Sequence, residues 1–270
     1  MSTYVMSDIH GCYDDLRTML EVIGFSASEA GDRLIIAGDC IDRGAKTYEM
    51  LKWMERCPPN VLLLRGNHEE EFIKYVELML MLDRDEELDS DFSSAEDAAI
   101  LYDSVKYFIS SKKLSFLDFD IYGTIKNLLE DHNVTLDDLC RWADIFRKMP
   151  YYEKINVNGR TCVAVHAGYS EEPENIGEKF SEIEEFYLYA REEGFRLGGI
   201  PHGMIISGHT PTTTIAMNMD ACSSGNVFRY YDDKKDCIFY DIDCGRVFRR
   251  RFPEAKLACI RLEDEKIFYV

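Results

Sequence analysis

Three short apolar runs near the start of the chain, Tyr4-Val5-Met6, Leu34-Ile35-Ile36-Ala37 and Val61-Leu62-Leu63-Leu64, are continuous rather than alternating. That pattern predicts strands buried on both faces. Between them Leu16, Met19, Leu20 and Ile23 recur at helical spacing, as do Tyr48, Leu51 and Met54. The β-α-β-α-β order predicts parallel strands joined by crossover helices, an α/β arrangement. Further strands are expected at 161–165, 204–206, 237–242, 257–262 and 267–270, the last two joined in a hairpin by Glu263-Asp264-Glu265-Lys266.

The middle of the chain has a different texture. Residues 70–150 carry little strand signal, and Ser94-x-x-Asp97 and Thr135-x-x-Asp138 have the spacing of helix-capping boxes. Leu139, Trp142, Ala143, Phe146 and Met149 mark one apolar face. The segment is expected to be a helical insertion within a single domain covering 1–270. The acidic run from Asp83 to Asp97 reads as a solvated face or loop without chemistry.

Composition narrows the classes. With 270 residues, 46% of them apolar, the chain can bury a substantial core, which excludes disordered and rod-like proteins. Its 31 basic and 50 acidic residues leave a net charge of −19, which repels a phosphate backbone and argues against general nucleic-acid binding. Any phosphate it holds needs metal ions or a few placed arginines. The nine cysteines are scattered and odd in number, with no Cys-x-x-Cys pair, so they read as reduced packing residues. No secretory leader and no membrane-length apolar run is visible, and a soluble cytoplasmic protein without membrane contact is expected.

The chemistry lies just after the strands. The runs are Ser7-Asp8-Ile9-His10-Gly11, Gly38-Asp39-Cys40-Ile41-Asp42-Arg43-Gly44, Arg65-Gly66-Asn67-His68-Glu69, Val165-His166-Ala167-Gly168 and Ser207-Gly208-His209-Thr210-Pro211. Each strand end leads into carboxylate, imidazole or amide groups beside a glycine that lets the chain turn tightly. Loops beyond the carboxyl ends of strands converge on one crevice in open α/β sheets, so these groups should meet. Mixed Asp, His and Asn ligation suits a borderline divalent metal rather than calcium.

In this order the motifs resemble those of the phosphoprotein phosphatase (PPP) branch of the calcineurin-like metallophosphoesterases, over Tyr4 to about Gly245. The resemblance implies two mixed β-sheets sandwiched between helices, with two divalent transition-metal ions at the edge where the loops gather. Manganese is the first choice, with iron, zinc or nickel as alternatives. It implies Asp8, His10 and Asp39 on the first ion, Asp39 as a bridge, and Asn67, His166 and His209 on the second. It also implies His68 as general acid oriented by Asp42, with Arg43 gripping phosphate oxygens. A second phosphate-binding arginine is expected between His166 and His209, with Arg191 and Arg196 as the candidates; Tyr189-Ala190-Arg191-Glu192 resembles a Trp-x-Arg segment of bacterial relatives, which makes Arg191 the choice.

The expected activity is hydrolysis of a phosphoester by direct attack of a metal-bridging hydroxide on phosphorus. A Ser/Thr protein phosphatase acting on phosphorylated protein is the first reading. A dinucleoside polyphosphate or RNA-cap hydrolase acting on a nucleotide or polyphosphate is the alternative. A calcineurin-like phosphodiesterase is more distant, because that group commonly ends in Gly-His-x-His, whereas here Thr210-Pro211 follows His209. A catalytically silent binding module would predict loss of His68, Asp42 or Arg43. Outside the constellation, His132 is expected at a solvated helix end, His202 in a structural turn and Cys244 in packing. Arg246, Arg249, Arg250 and Arg251 either solvate a strand end or meet distal phosphates of a long substrate.

Overall fold

Strand β1 (Thr3–Met6) divides its side chains between two environments. Val5 faces inward with Ile35, Ala37 and Leu64 against Ala164, Met204, Ile206 and Ile238, forming a core between two sheets. Tyr4 and Met6, with Leu34, Ile36 and Leu63, point the other way into a larger core shared with helices. The period-2 alternation of strand side chains thus fills both faces of one sheet with apolar groups, which is why these runs are continuous in sequence.

The computed structural model describes all residues except 28–30, 86–94, 113–118, 173, 175, 177–178 and 219–224. In the first sheet β1, β2 (Arg33–Ala37) and β3 (Val61–Leu64) are parallel. The strands β9 (Ala258–Arg261) and β10 (Lys266–Tyr269) complete the order β10-β9-β1-β2-β3, the two forming the expected antiparallel hairpin. Helices α1 (Tyr13–Val22) and α2 (Thr47–Met54) make the crossovers. Between β3 and the next strand come α3 (Asn67–Asp85), α4 (Ala95–Lys112), α5 (Phe119–His132) and α6 (Leu136–Arg147). Helix α6 opens with the capping box read from Thr135 and Asp138, both reciprocal hydrogen bonds being present. Its Leu139, Trp142, Ala143 and Phe146 are buried in the same core as β1 and β2. The Ser94 cap and most of the acidic run lie outside the described residues.

The second sheet has the order β4-β5-β6-β8-β7 and is likewise mixed. Strands β5 (Arg160–Val165), β6 (Met204–Ser207) and β8 (Cys237–Asp241) are parallel; β4 (Tyr152–Val157) and β7 (Phe228–Asp232) close its two edges antiparallel. Its outer face, with Val163, Val165, Ile205 and Phe239, packs with Tyr187 of α7 (Ile183–Tyr189) and Phe195 of α8 (Glu192–Leu197). A last helix, α9 (Thr212–Asn218), follows β6. The layers therefore run helix, sheet, sheet, helix.

Neither β4 nor β7 is visible in the hydrophobic pattern. Both are edge strands whose side chains are mostly half-buried or exposed, so charged residues such as Glu153, Lys154 and Arg229 interrupt any apolar run. His132 is at a helix end as expected, but it is half-buried and stacks on Tyr48, with ring centroids 4.1 Å apart. His202 sits in an exposed turn and bonds Asp236, while Cys244 is buried packing. Among the described residues eight cysteines are free thiols, and no helix is long and apolar enough to cross a membrane.

The arginine cluster divides. Arg246 forms a two-pronged bond to Asp15 of α1, through Nε at 2.6 Å and Nη2 at 2.7 Å. Arg249 donates to the backbone carbonyls of Ala255 and Val270. These two arginines fasten the C-terminal segment to the body, and only Arg250 and Arg251 are left exposed.

Candidate metal centre

Because β1, β2 and β3 are parallel, and β5, β6 and β8 are too, each sheet gathers the carboxyl ends of three strands on one edge. The two edges adjoin. His166, after β5, places Nδ1 3.0 Å from the carbonyl of Ala37 at the end of β2. The backbone N–H of His209, after β6, donates to both carboxylate oxygens of Asp8, after β1. Gly208 is required at that join, since a Cβ there would fall on the Asp8 carboxylate and the Ser7 hydroxyl.

Six of the expected site residues adopt left-handed backbone angles: Asp8 (φ 50°), His10 (45°), Asp39 (53°), Asp42 (70°), Arg43 (63°) and His209 (68°). Such conformations cost of order 1–3 kcal/mol each and gather where function demands a particular side-chain direction. Their concentration in these three loops marks the edge as the working part of the molecule.

The side chains converge as follows. His10 donates Nδ1–H to the carbonyl of Ile41 at 2.9 Å, which leaves Nε2 as the acceptor nitrogen, facing Arg43 Nη1 at 2.9 Å. That Nε2 lies 3.6 Å from Asp39 Oδ2 and 3.9 Å from Asp8 Oδ1. On the other side, His166 Nε2, His209 Nδ1 and Asn67 Oδ1 form a triangle with sides of 2.9, 3.1 and 3.0 Å. Asp39 Oδ1 is 3.4 Å from His166 Nε2. The Asp39 carboxylate thus turns one oxygen to each cluster. All six of these residues are buried.

This arrangement fits divalent cations. Three atoms of ligand type gathered at such distances can share one cation. Ligand atoms on one face of an octahedral ion with bonds of about 2.1 Å stand ~3.0 Å apart, which is the spacing of the triangle. Burial, aided by the charges of Asp243 and Asp39, pushes the Asp8 carboxyl well above its ordinary range. Burial likewise lowers His10, His209 and His166, favouring the neutral imidazoles that metals need. Burial also opposes ionisation of Asp39, but the surrounding imidazoles, with His68 the one whose protonated form is favoured, outweigh it and hold the group below the usual carboxylate range.

His68 stands apart from the triangle. Its Nδ1 is 2.6 Å from Asp42 Oδ2, both groups being buried, and its Nε2 is 3.8 Å from Asp39 Oδ2. Burial disfavours the charged ring, yet the Asp39 charge and the Asp42 hydrogen bond prevail and raise its pKa to about 10. A cation held beside Asp39 would lower it. Arg43 donates Nε–H to Asp120 of α5 at 2.6 Å and sets Nη1 2.9 Å from His10 Nε2, with its guanidinium over Phe248. Arg191, at the start of α8, is exposed; its charge reaches His166, His209, Asp241 and Asp243.

Three further groups belong to the centre. Glu69 accepts backbone N–H bonds from Asp39, Cys40 and Gly66 at 2.8–2.9 Å and so ties the loop after β2 to the first turn of α3; burial and the Asp39 charge raise it to about 7. Asp241 and Asp243, at the end of β8, are buried beside Asp8, and burial raises Asp243 to about 7. Asp241-Ile242-Asp243-Cys244-Gly245 repeats the pattern of carboxylate then glycine after a strand, and that is the signal which points to the pair.

The calcineurin-like phosphoesterase family model matches residues 1–213. The symmetrical bis(5'-nucleosyl)-tetraphosphatase of Buchnera aphidicola subsp. Baizongia pistaciae is 32% identical over 152 residues, 56% of this chain and 39% of that protein. Its Vibrio campbellii counterpart is 41% identical over 69 residues, 26% of this chain and 25% of the other. The matched stretches therefore span less than half of these relatives. Among solved structures, one of a candidate diadenosine tetraphosphatase aligns with a TM-score of 0.53 and 16% identity, covering 100% of this chain and 92% of that one. A metallophosphoesterase from Sphaerobacter thermophilus aligns at 0.51 and 14%, covering 100% and 87%. At these identities the structures share the fold.

Proposed function

Because this chain belongs to the calcineurin-like phosphoesterase family, we propose that it hydrolyses dinucleoside polyphosphates at a two-metal centre, cutting a dinucleoside tetraphosphate symmetrically into two diphosphates. The observation that carries the two-metal reading is the Asp39 carboxylate, which faces His10 with one oxygen and His166 with the other. The likeness to symmetrical tetraphosphatases supports the nucleotide substrate over the phosphoprotein read first from the sequence.

Two divalent ions, when bound, supply Lewis acidity toward the phosphoryl oxygens and a nucleophilic hydroxide at neutral pH. Asp8, His10 and Asp39 would hold the first ion, and Asp39, Asn67, His166 and His209 the second. The neutral amide of Asn67 limits the negative charge around a site that accepts phosphate. His68 delivers a proton to the leaving oxygen while Asp42 fixes its ring. Arg43 Nη1 stands 2.9 Å from His10 Nε2, so with a cation held by His10 the guanidinium would be placed to turn that prong to phosphate oxygens. Arg191 supplies the second fork from the opposite sheet.

The test is a substrate panel with manganese, iron, zinc or nickel added singly, the products separated by chromatography. A dinucleoside tetraphosphate should yield only the two diphosphates, with kcat/KM above that for a phosphoserine peptide or a capped RNA end. A monophosphate with a triphosphate, or preference for the peptide, overturns the reading.

A further inference from the structure

Next to Arg191 lies a cavity of about 420 Å³ with Phe195, Phe228, Tyr230 and Arg196 in its wall. We propose that it is a slot for one terminal base of the nucleotide substrate, an inference that rests on the nucleotide reading above and names where the base goes.

The wall is an aromatic trio. The Phe195 ring, on α8, meets Phe228 edge-on with centroids 5.5 Å apart and Tyr230 at 6.4 Å. Phe228 is 4% exposed and forms the floor, whereas Tyr230 is 37% exposed, so the slot is reached from its side. The cavity opens to solvent beside Tyr230, and its size falls in the range of small-molecule pockets. A planar base has two π-faces for such rings and polar edges for the groups around them. An extended peptide needs a groove along its length instead.

Charge supports the same occupant. The chain has a net charge of −19, yet this cavity is lined by two arginines, Arg191 and Arg196, against one acidic residue, Glu192, and neither arginine has an ion-pair partner among the described residues. Thr210, directly after His209, also lines it, and its buried hydroxyl meets no hydrogen-bond partner among the described residues. Arg191 faces both ways. It lines the slot, and its charge reaches His166 and His209 at the metal centre. A base in the slot would therefore place its own phosphates at Arg191, on the side of His166 and His209.

Calorimetric titration of the manganese-loaded protein with AMP and with inorganic phosphate tests this without turnover. AMP should bind at least about tenfold more tightly than phosphate, the difference measuring the nucleoside. Tyr230→Ala and Phe195→Leu should weaken AMP about 5- to 100-fold, the scale of base–aromatic stacking, with phosphate unchanged. Tyr230→Phe should restore AMP binding. Tyr230 is exposed enough that its variants test the slot even where Phe195→Leu fails to fold. Equal affinity for AMP and phosphate in the unaltered protein overturns the slot, as do variants that weaken both ligands alike or weaken a phosphoserine peptide as much as AMP. Symmetrical cleavage with no AMP preference defeats the slot alone. An AMP preference lost in the variants, with no cleavage of the tetraphosphate, defeats the proposed substrate alone.

Discussion

Asp39→Asn should strip the protein of both metal ions. The carboxylate stands between the two ligand clusters, Oδ2 3.6 Å from His10 Nε2 and Oδ1 3.4 Å from His166 Nε2. Asparagine keeps the shape and an oxygen to accept the His68 backbone N–H, which Asp39 Oδ1 now accepts at 3.1 Å. It removes the one negative charge common to both clusters. The second cluster then offers only neutral donors, and two cations brought close together lose the anion that screens them from each other. Metal content after dialysis should fall from two equivalents to below one, with catalysis lost. Thermal unfolding of the metal-free forms shows whether the fold survives. Two equivalents retained by the variant would remove the bridge from the account.

His68→Asn should leave both ions in place and slow hydrolysis by about 10²–10⁴, the usual worth of a general acid. The effect should be greatest for substrates whose leaving group is a poor one and small for activated aryl phosphates, which depart without a proton. The structure makes this a sharp test, because His68 Nε2 lies near Asp39, and a histidine oriented by a carboxylate at Nδ1 is also what a metal ligand looks like. The two roles separate in the same variant. A ligand loses metal when replaced. A general acid loses rate, and loses it selectively by leaving group. Metal loss, or equal slowing of both substrate classes, would count against the acid.

Much of this candidate centre is legible in sequence for a physical reason: each candidate ligand sits a few residues beyond a buried parallel strand, and buried parallel strands are the most conspicuous elements in a hydropathy pattern. The expected positions Asp8, His10, Asp39, Asp42, Arg43, Asn67, His68, His166 and His209 all come together in the fold, and Arg191 stands on the flank. What stays hidden depends on distance or on exposure. The Arg43–Asp120 pair spans 77 positions and ends on a helix whose polar face looks like any other. Glu69 follows the motif but gives no sign that its carboxylate turns inward to three backbone N–H groups. Arg246 and Arg249 look like a solvated cluster because their partners, Asp15 and two backbone carbonyls, are remote in sequence or carry no side-chain signal. The edge strands β4 and β7 escape because half-exposed strands carry charge.

In the proposed centre one carboxylate, Asp39, would join two ions. Electron paramagnetic resonance of the protein loaded with manganese examines this directly, since ions sharing a bridge couple their spins and isolated ions do not. The account predicts two equivalents of manganese and an exchange-coupled spectrum. Two equivalents giving only the signal of isolated ions, or saturation at one equivalent, would contradict it.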